Sequence, residues 1–143
     1  MKKLRAWLYC AAWMIFIFIM SATPGDVSSE ESGFIVSLLT GIADAFSGGQ
    51  SAALDLSLLE LLVRKAAHMA EYAVLFLLYR RALNLSNARR PGFIALILCI
   101  AYAATDEFHQ LFVDGRGGTP VDVLIDTAGA ALACSFRAVI SKE

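Results

Sequence analysis

Residues 104–126, ATDEFHQLFVDGRGGTPVDVLID, concentrate groups that can move protons or bind ions. The stretch carries five carboxylates (Asp106, Glu107, Asp114, Asp122 and Asp126) with His109, Gln110 and Arg116. A second cluster, RKAAHMAEY, supplies Arg64, Lys65, His68, Glu71 and Tyr72. Histidine and glutamate can act as acid and base, and Lys65 and Arg116 suit an anionic group. Histidine nitrogen with carboxylate oxygen is also a ligand set that zinc or manganese accepts. No ligand spacing here is diagnostic, however, so the sequence assigns no metal and no cofactor. It contains neither a Gly-x-Ser-x-Gly nucleophile nor a His-Glu-x-x-His zinc motif. Catalytic residues are therefore not named by motif.

The elements that must position these groups are apolar. Of the 143 residues 58% are hydrophobic and only 17% charged, with a mean hydropathy of +0.63. A soluble domain is about one quarter charged. Four apolar runs, near residues 4–20, 66–83, 93–112 and 121–140, each approach the roughly 20 residues that cross a hydrocarbon core of about 30 Å. Backbone polar groups in lipid require a helix or a closed barrel, and no repeated alternating strand pattern is present. The expected fold is all-α: a polytopic membrane protein with four transmembrane helices in a single domain, 1–143. The first run, after MKKLR and before MSAT, also has the form of a signal peptide.

Cations set the orientation. With the N-terminus in the cytoplasm, nine of the twelve Lys and Arg residues fall inside, and only Arg64, Lys65 and Arg116 fall outside. The positive-inside rule thus places both termini in the cytoplasm. Twelve of the thirteen acids then lie on the outer side, which gives that side its own chemistry. Cys10, Cys99 and Cys134 sit in apolar runs and read as small core residues. The net charge of −1 gives no bulk attraction for nucleic acid.

The long outer loop has structure of its own. TPGDVSSEESG reads as a turn-rich exit. Phe34, Leu38, Ile42 and Phe46 then form a helical stripe over 33–46, too short for a span and suited to an amphipathic helix on the outer leaflet. SGGQS breaks it, and Ser57 with Glu60 has the form of a capping box opening the next helix.

Helical spacing brings the chemical groups onto facing surfaces. Arg64, Lys65, His68, Glu71 and Tyr72 share an arc of about 120° on one helix, with Tyr79 deeper on the same face. Tyr102, Asp106, His109 and Gln110 share a face of the next, with Glu107 to the side. Asp122 and Asp126 lie one turn apart on the last, and Gly129 and Ala133 continue below them as a small-residue stripe that admits a close helix. A lone charge at mid-bilayer costs about 2.5–3.5 kcal/mol, so these acids must face one another, cations or water. Blander uses exist. Thr119, Pro120 and Asp122 can simply cap a helix. Asp114 can be a solvated loop acid, and Arg64 and Lys65 snorkelling anchors. Asp126 and Glu107 have the weakest structural excuse.

KAAHMAEYAVLFLLYR followed by DEFHQLFVDGRGGTPVDVLIDTAGAALA resembles the VanZ-like family of small bacterial membrane proteins. Lys65, His68, Glu71 and Tyr72 match its first block. Asp106, Glu107, Gln110, Phe112, Arg116, Asp122, Asp126 and Gly129 match its second, and His109 falls where the family often has His. The resemblance covers 65–133. Members often carry Asn at the position of Asp126, so the family pattern does not require a charge there.

The resemblance implies a cell-envelope protein of the kind associated with resistance to the glycopeptide antibiotic teicoplanin. Two classes of function stay open. One is a noncatalytic protein that binds a ligand, lipid or drug in an outer-leaflet polar pocket, with membrane lipid, a cell-wall precursor or a glycopeptide as partner. The other is a membrane enzyme acting on a lipid-linked or headgroup substrate, with His68, His109 and Glu71 as acid and base. The oligomeric state is not legible.

Overall fold

The computed structural model describes residues 1–47 and 55–140, with side chains placed for 1–42 and 55–137. Residues 48–51 of the expected SGGQS break, the Phe46 side chain, and Lys142 and Glu143 lie outside the described residues. Five helices follow in order: α1 (Lys2–Ser21), α2 (Gly25–Ser47), α3 (Leu56–Leu85), α4 (Pro91–Gln110) and α5 (Pro120–Ile140). Among the described residues there is no strand. α1 and α4 are long and apolar enough to cross a membrane.

α3 is the axis of the bundle and touches each of the other four helices. Its 30 residues reach roughly 45 Å at 1.5 Å per residue, half as long again as a hydrocarbon core. The core beside it is built from small residues, Ala6, Cys10, Ala82, Ala95, Cys99, Ala103 and Ala130, interleaved with Ile17, Tyr72, Leu75, Phe76 and Tyr79. The large aliphatic and aromatic side chains Ile15, Ile19, Phe93, Leu124, Leu132 and Phe136 are instead exposed. Buried small residues let backbones approach, which is how helices pack where no hydrophobic driving force separates interior from surroundings. At Gly129 α5 comes close to α3: a Cβ there would overlap the Met69 carbonyl.

α1 is bonded into the bundle along its length. Trp7 Nε1 donates to Ser86 Oγ (3.2 Å), Trp13 Nε1 to the Glu71 carbonyl (3.0 Å), and Tyr102 OH to the Met14 carbonyl (2.6 Å). Tyr79 does not extend the polar face inward; its hydroxyl sits on Met14 Sδ (2.9 Å).

Two local expectations need correction. The segment read as a turn-rich exit is helical, because α2 starts at Gly25, directly after Pro24, and not near residue 33. Ser29 and Ser32 return their hydroxyls to the carbonyls of Gly25 (2.8 Å) and Ser28 (3.0 Å), so residues that favour turns are satisfied inside the helix. The cap of α3 is Asp55, not Ser57. Its carboxylate accepts from the Ser57 and Leu58 backbone N–H groups and from the Ser57 hydroxyl (2.6 Å), which holds its pKa below the usual aspartate value, the hydroxyl contributing most.

Charge is segregated between the two ends of the bundle. At one end Lys2, Arg5, Arg80, Arg81 and Arg137 line a cavity of about 660 Å³. Asp106, Glu107, Asp122 and Asp126 gather at the other, beside Ser21, Lys65 and Arg116.

Candidate functional site

The acidic end is built by the last turn of α1, the second turn of α2, the first half of α3, the C-terminus of α4 and the N-terminus of α5. Thr119 starts α5. Its Oγ1 accepts from the Asp122 N–H (3.2 Å) and donates to Asp122 Oδ2 (3.1 Å), the expected cap. The Thr119 N–H donates to Glu107 Oε2 (3.0 Å), tying the end of α4 to the start of α5. A Cβ at Gly118 would overlap the Glu107 carbonyl, so this tie depends on glycine.

The cations are committed at the periphery. Lys65 pairs with Asp122. Arg64 Nη2 donates to Ser29 Oγ on α2 (3.0 Å). Among the described residues Arg116 pairs with no carboxylate; its Nε and Nη2 donate to the carbonyls of Thr23 (3.0 Å) and Met20 (3.4 Å). A guanidinium on the terminal carbonyls of α1 satisfies groups that the helix itself cannot.

The acids lie deeper. Asp106 and Asp126 are 2% and 1% exposed. Asp106 Oδ2 accepts from Ser21 Oγ (2.8 Å) and, at 3.5 Å, from Gln110 Nε2, which also reaches Glu107 Oε1 (3.4 Å). Asp126 Oδ1 lies 3.7 Å from His68 Nδ1. Among the described residues, that leaves His68 Nδ1, Tyr72 OH, Asp106 Oδ1 and Asp126 Oδ2 buried with no hydrogen-bond partner, as are Arg64 Nε, His109 Nε2 and Thr127 Oγ1. Buried polar atoms are seldom left so.

Two small cavities open here. The first, about 100 Å³, is polar and is lined by Lys65, His68, Glu107, Gln110, Arg116, Asp122 and Asp126 among others. The second, about 150 Å³, is lined by Met20, Ile35, Val63 and Ala67 with Glu71 at its edge. Arg64, His68 and Arg116 line both.

The sequence-predicted groups therefore fall into four places. Seven line the polar cavity. Glu71 borders the more apolar one. Asp106 and Tyr72 are buried behind, Tyr72 wholly so, with its ring 6.3 Å from that of Tyr102. His109 is apart: its ring stacks on Phe18 at 4.3 Å, and it lines neither cavity. α4 lies between α1 and α5, so the residue three after Asp106 turns towards α1, while Glu107, expected to the side, turns towards α5 and the cavity. Ser21, Ser29 and Thr23 were not singled out as site residues. Their contribution is one hydroxyl to Asp106, one to Arg64 and a backbone carbonyl to Arg116, and only the hydroxyl-bearing residue types leave any trace in a sequence.

The family model VanZ/LLP1 matches residues 6–140, nearly the whole chain. No curated protein and no solved structure matches it. The match runs from the first turns of α1 to the end of α5, well beyond the motif-bearing 65–133, and the chain belongs to the VanZ/LLP1 family.

Proposed function

We propose that this protein is a multi-pass protein of the bacterial plasma membrane that binds an amphipathic ligand at its outer face. α1, α3, α4 and α5 cross the bilayer, α2 lies along the outer surface, and both termini are cytoplasmic. The exposed aliphatic residues around the bundle support this placement. So does the gathering of Lys2, Arg5, Arg80, Arg81 and Arg137 at the end opposite the acids.

The observation that carries the reading is the pair of adjoining cavities that share Arg64, His68 and Arg116. One is polar and the other mostly apolar; at about 100 and 150 Å³ they suit the ionic group and the adjoining part of the hydrocarbon of an amphipathic ligand, the rest of which lies outside them. A lipid-linked cell-wall precursor and an acylated glycopeptide such as teicoplanin both have that character. Equilibrium binding to purified protein in lipid nanodiscs tests the proposal. Saturable binding of either, weakened at least tenfold by Glu71→Gln with Arg64→Gln, is expected, with the ligand recovered unchanged. No saturable binding of either contradicts it.

The His68–Asp126 approach favours one other reading, a membrane enzyme using His68 as acid or base. Conversion of the precursor, abolished by His68→Ala, would establish that reading instead.

A further inference from the structure

We infer that His68, Asp106 and Asp126 together hold a divalent metal ion. The three come from α3, α4 and α5, so the site is assembled by the bundle and not by a local sequence motif. Each offers one donor atom, and the three atoms lie within 4.8 Å of one another.

Three features distinguish this group from an ordinary acidic cluster. The first is the unpartnered atoms. Among the described residues Asp106 Oδ1, Asp126 Oδ2 and His68 Nδ1 have no hydrogen-bond partner, and both aspartates are almost wholly buried. Tyr72 is fully buried, and its hydroxyl too has no hydrogen-bond partner among the described residues. The second is spacing. His68 Nδ1 and Asp126 Oδ1 are 3.7 Å apart, too far for a hydrogen bond. Two ligands each about 2.0–2.2 Å from one tetrahedral ion are separated by roughly 3.3–3.6 Å, so this pair is slightly wider, and the group as a whole, within 4.8 Å, draws in around an ion. The third is charge. Among the described residues neither aspartate forms an ion pair with Lys or Arg: Lys65 pairs with Asp122, while Arg64 and Arg116 make their hydrogen bonds to Ser29 and to the Met20 and Thr23 carbonyls. Two buried carboxylates with no cation in contact are costly in a low dielectric, and a dication offsets both.

The surrounding bonds fit a metal site. Ser21 and Gln110 hold Asp106 through Oδ2 and leave the buried Oδ1 available, the kind of outer support that orients a ligating carboxylate. One imidazole and two carboxylates suit zinc or manganese. His68 and Asp126 also line the polar cavity, so a remaining coordination position is reached from there. The inference does not depend on which amphiphile binds, or on whether one does.

The test is elemental analysis of the full-length protein, produced without a histidine tag and purified without chelator. The expected result is close to one equivalent of a divalent transition metal per chain. His68→Ala and Asp126→Ala should each lower it at least tenfold, and Asp114→Asn, at an exposed loop acid that lines neither cavity, should leave it unchanged. Because the variants can misfold, cobalt titration of the chelator-stripped wild-type protein supplies a second readout. Ligand-field absorption saturating at one equivalent supports the site. Less than a tenth of an equivalent of metal in the wild type, even after equilibration with zinc and with manganese, overturns the inference. So does full occupancy in a folded His68→Ala/Asp126→Ala double variant. Binding of precursor or teicoplanin is measured separately, so either proposal can fail alone.

Discussion

Ser21 is the smallest polar contributor to the acidic end and one of the most consequential. It is fully buried, and its hydroxyl gives Asp106 its shortest hydrogen bond. Gln110 at 3.5 Å is a weak substitute. Ser21→Ala should therefore destabilise the protein by about 1–3 kcal/mol, the cost of depriving a buried acceptor of its donor. Ser37→Ala is the control: that hydroxyl is on the surface and returns to its own helix at the Phe34 carbonyl, and its loss should stay within about 0.5 kcal/mol. Chemical unfolding in detergent compares the two, and equal effects would contradict the role given to Ser21. Asp55 offers a pH test. Its folded pKa lies below the usual value, first through the Ser57 hydroxyl and then through the Leu58 N–H. The stabilisation is thus fully present above about pH 4, the unfolded aspartate range, and is lost as pH falls through the lowered folded value. The difference in Tm between wild type and Asp55→Ala should be present at neutral pH and shrink on acidification below that range. A difference that grows would show that the cap does not act through its carboxylate.

At the scale of elements, the close contact of α3 with α5 is what brings His68 to Asp126. It rests on Gly129, whose missing Cβ leaves room for the Met69 carbonyl. Gly129→Leu must push the helices apart, and overpacking of this kind costs about 1–3 kcal/mol. Thermal unfolding in detergent should show a lowered Tm, with ligand and metal binding weakened together; a Tm unchanged from wild type would mean the helices are not held at this point. The glycine stripe was readable because small residues at i and i+4 have few other uses in an apolar helix. The cap at Thr119 was readable for a similar reason, since Thr, Pro and Asp have fixed positional preferences. The start of α2 was not. Its serines favour turns in isolation, and only their return to helix carbonyls settles the matter. The exchange of His109 for Glu107 was equally hidden. Spacing fixes which residues share a face of α4, but not which neighbour that face meets.

At the scale of the whole molecule, the bundle is polar where soluble proteins are dry and apolar where they are wet. Asp106, Glu107, Gln110 and Asp126 are buried, while Leu124, Leu132 and Phe136 of α5 are more than 60% exposed. Composition made the apolar surface legible, and helical spacing made the polar faces legible. The partners of the cations were not, because Arg116 ends on backbone carbonyls that no residue type announces. The central claim is that the acidic end opens to the outside of the cell. Thiol labelling in intact cells tests it most directly, in a background lacking the native cysteines. Asp114 lies exposed in the loop beside the polar cavity, and Arg89 lies exposed in the α3–α4 connection at the opposite end. A membrane-impermeant maleimide should modify Asp114→Cys in intact cells and Arg89→Cys only after permeabilisation; labelling of Arg89→Cys but not Asp114→Cys in intact cells would place the pocket on the cytoplasmic side and contradict the claim.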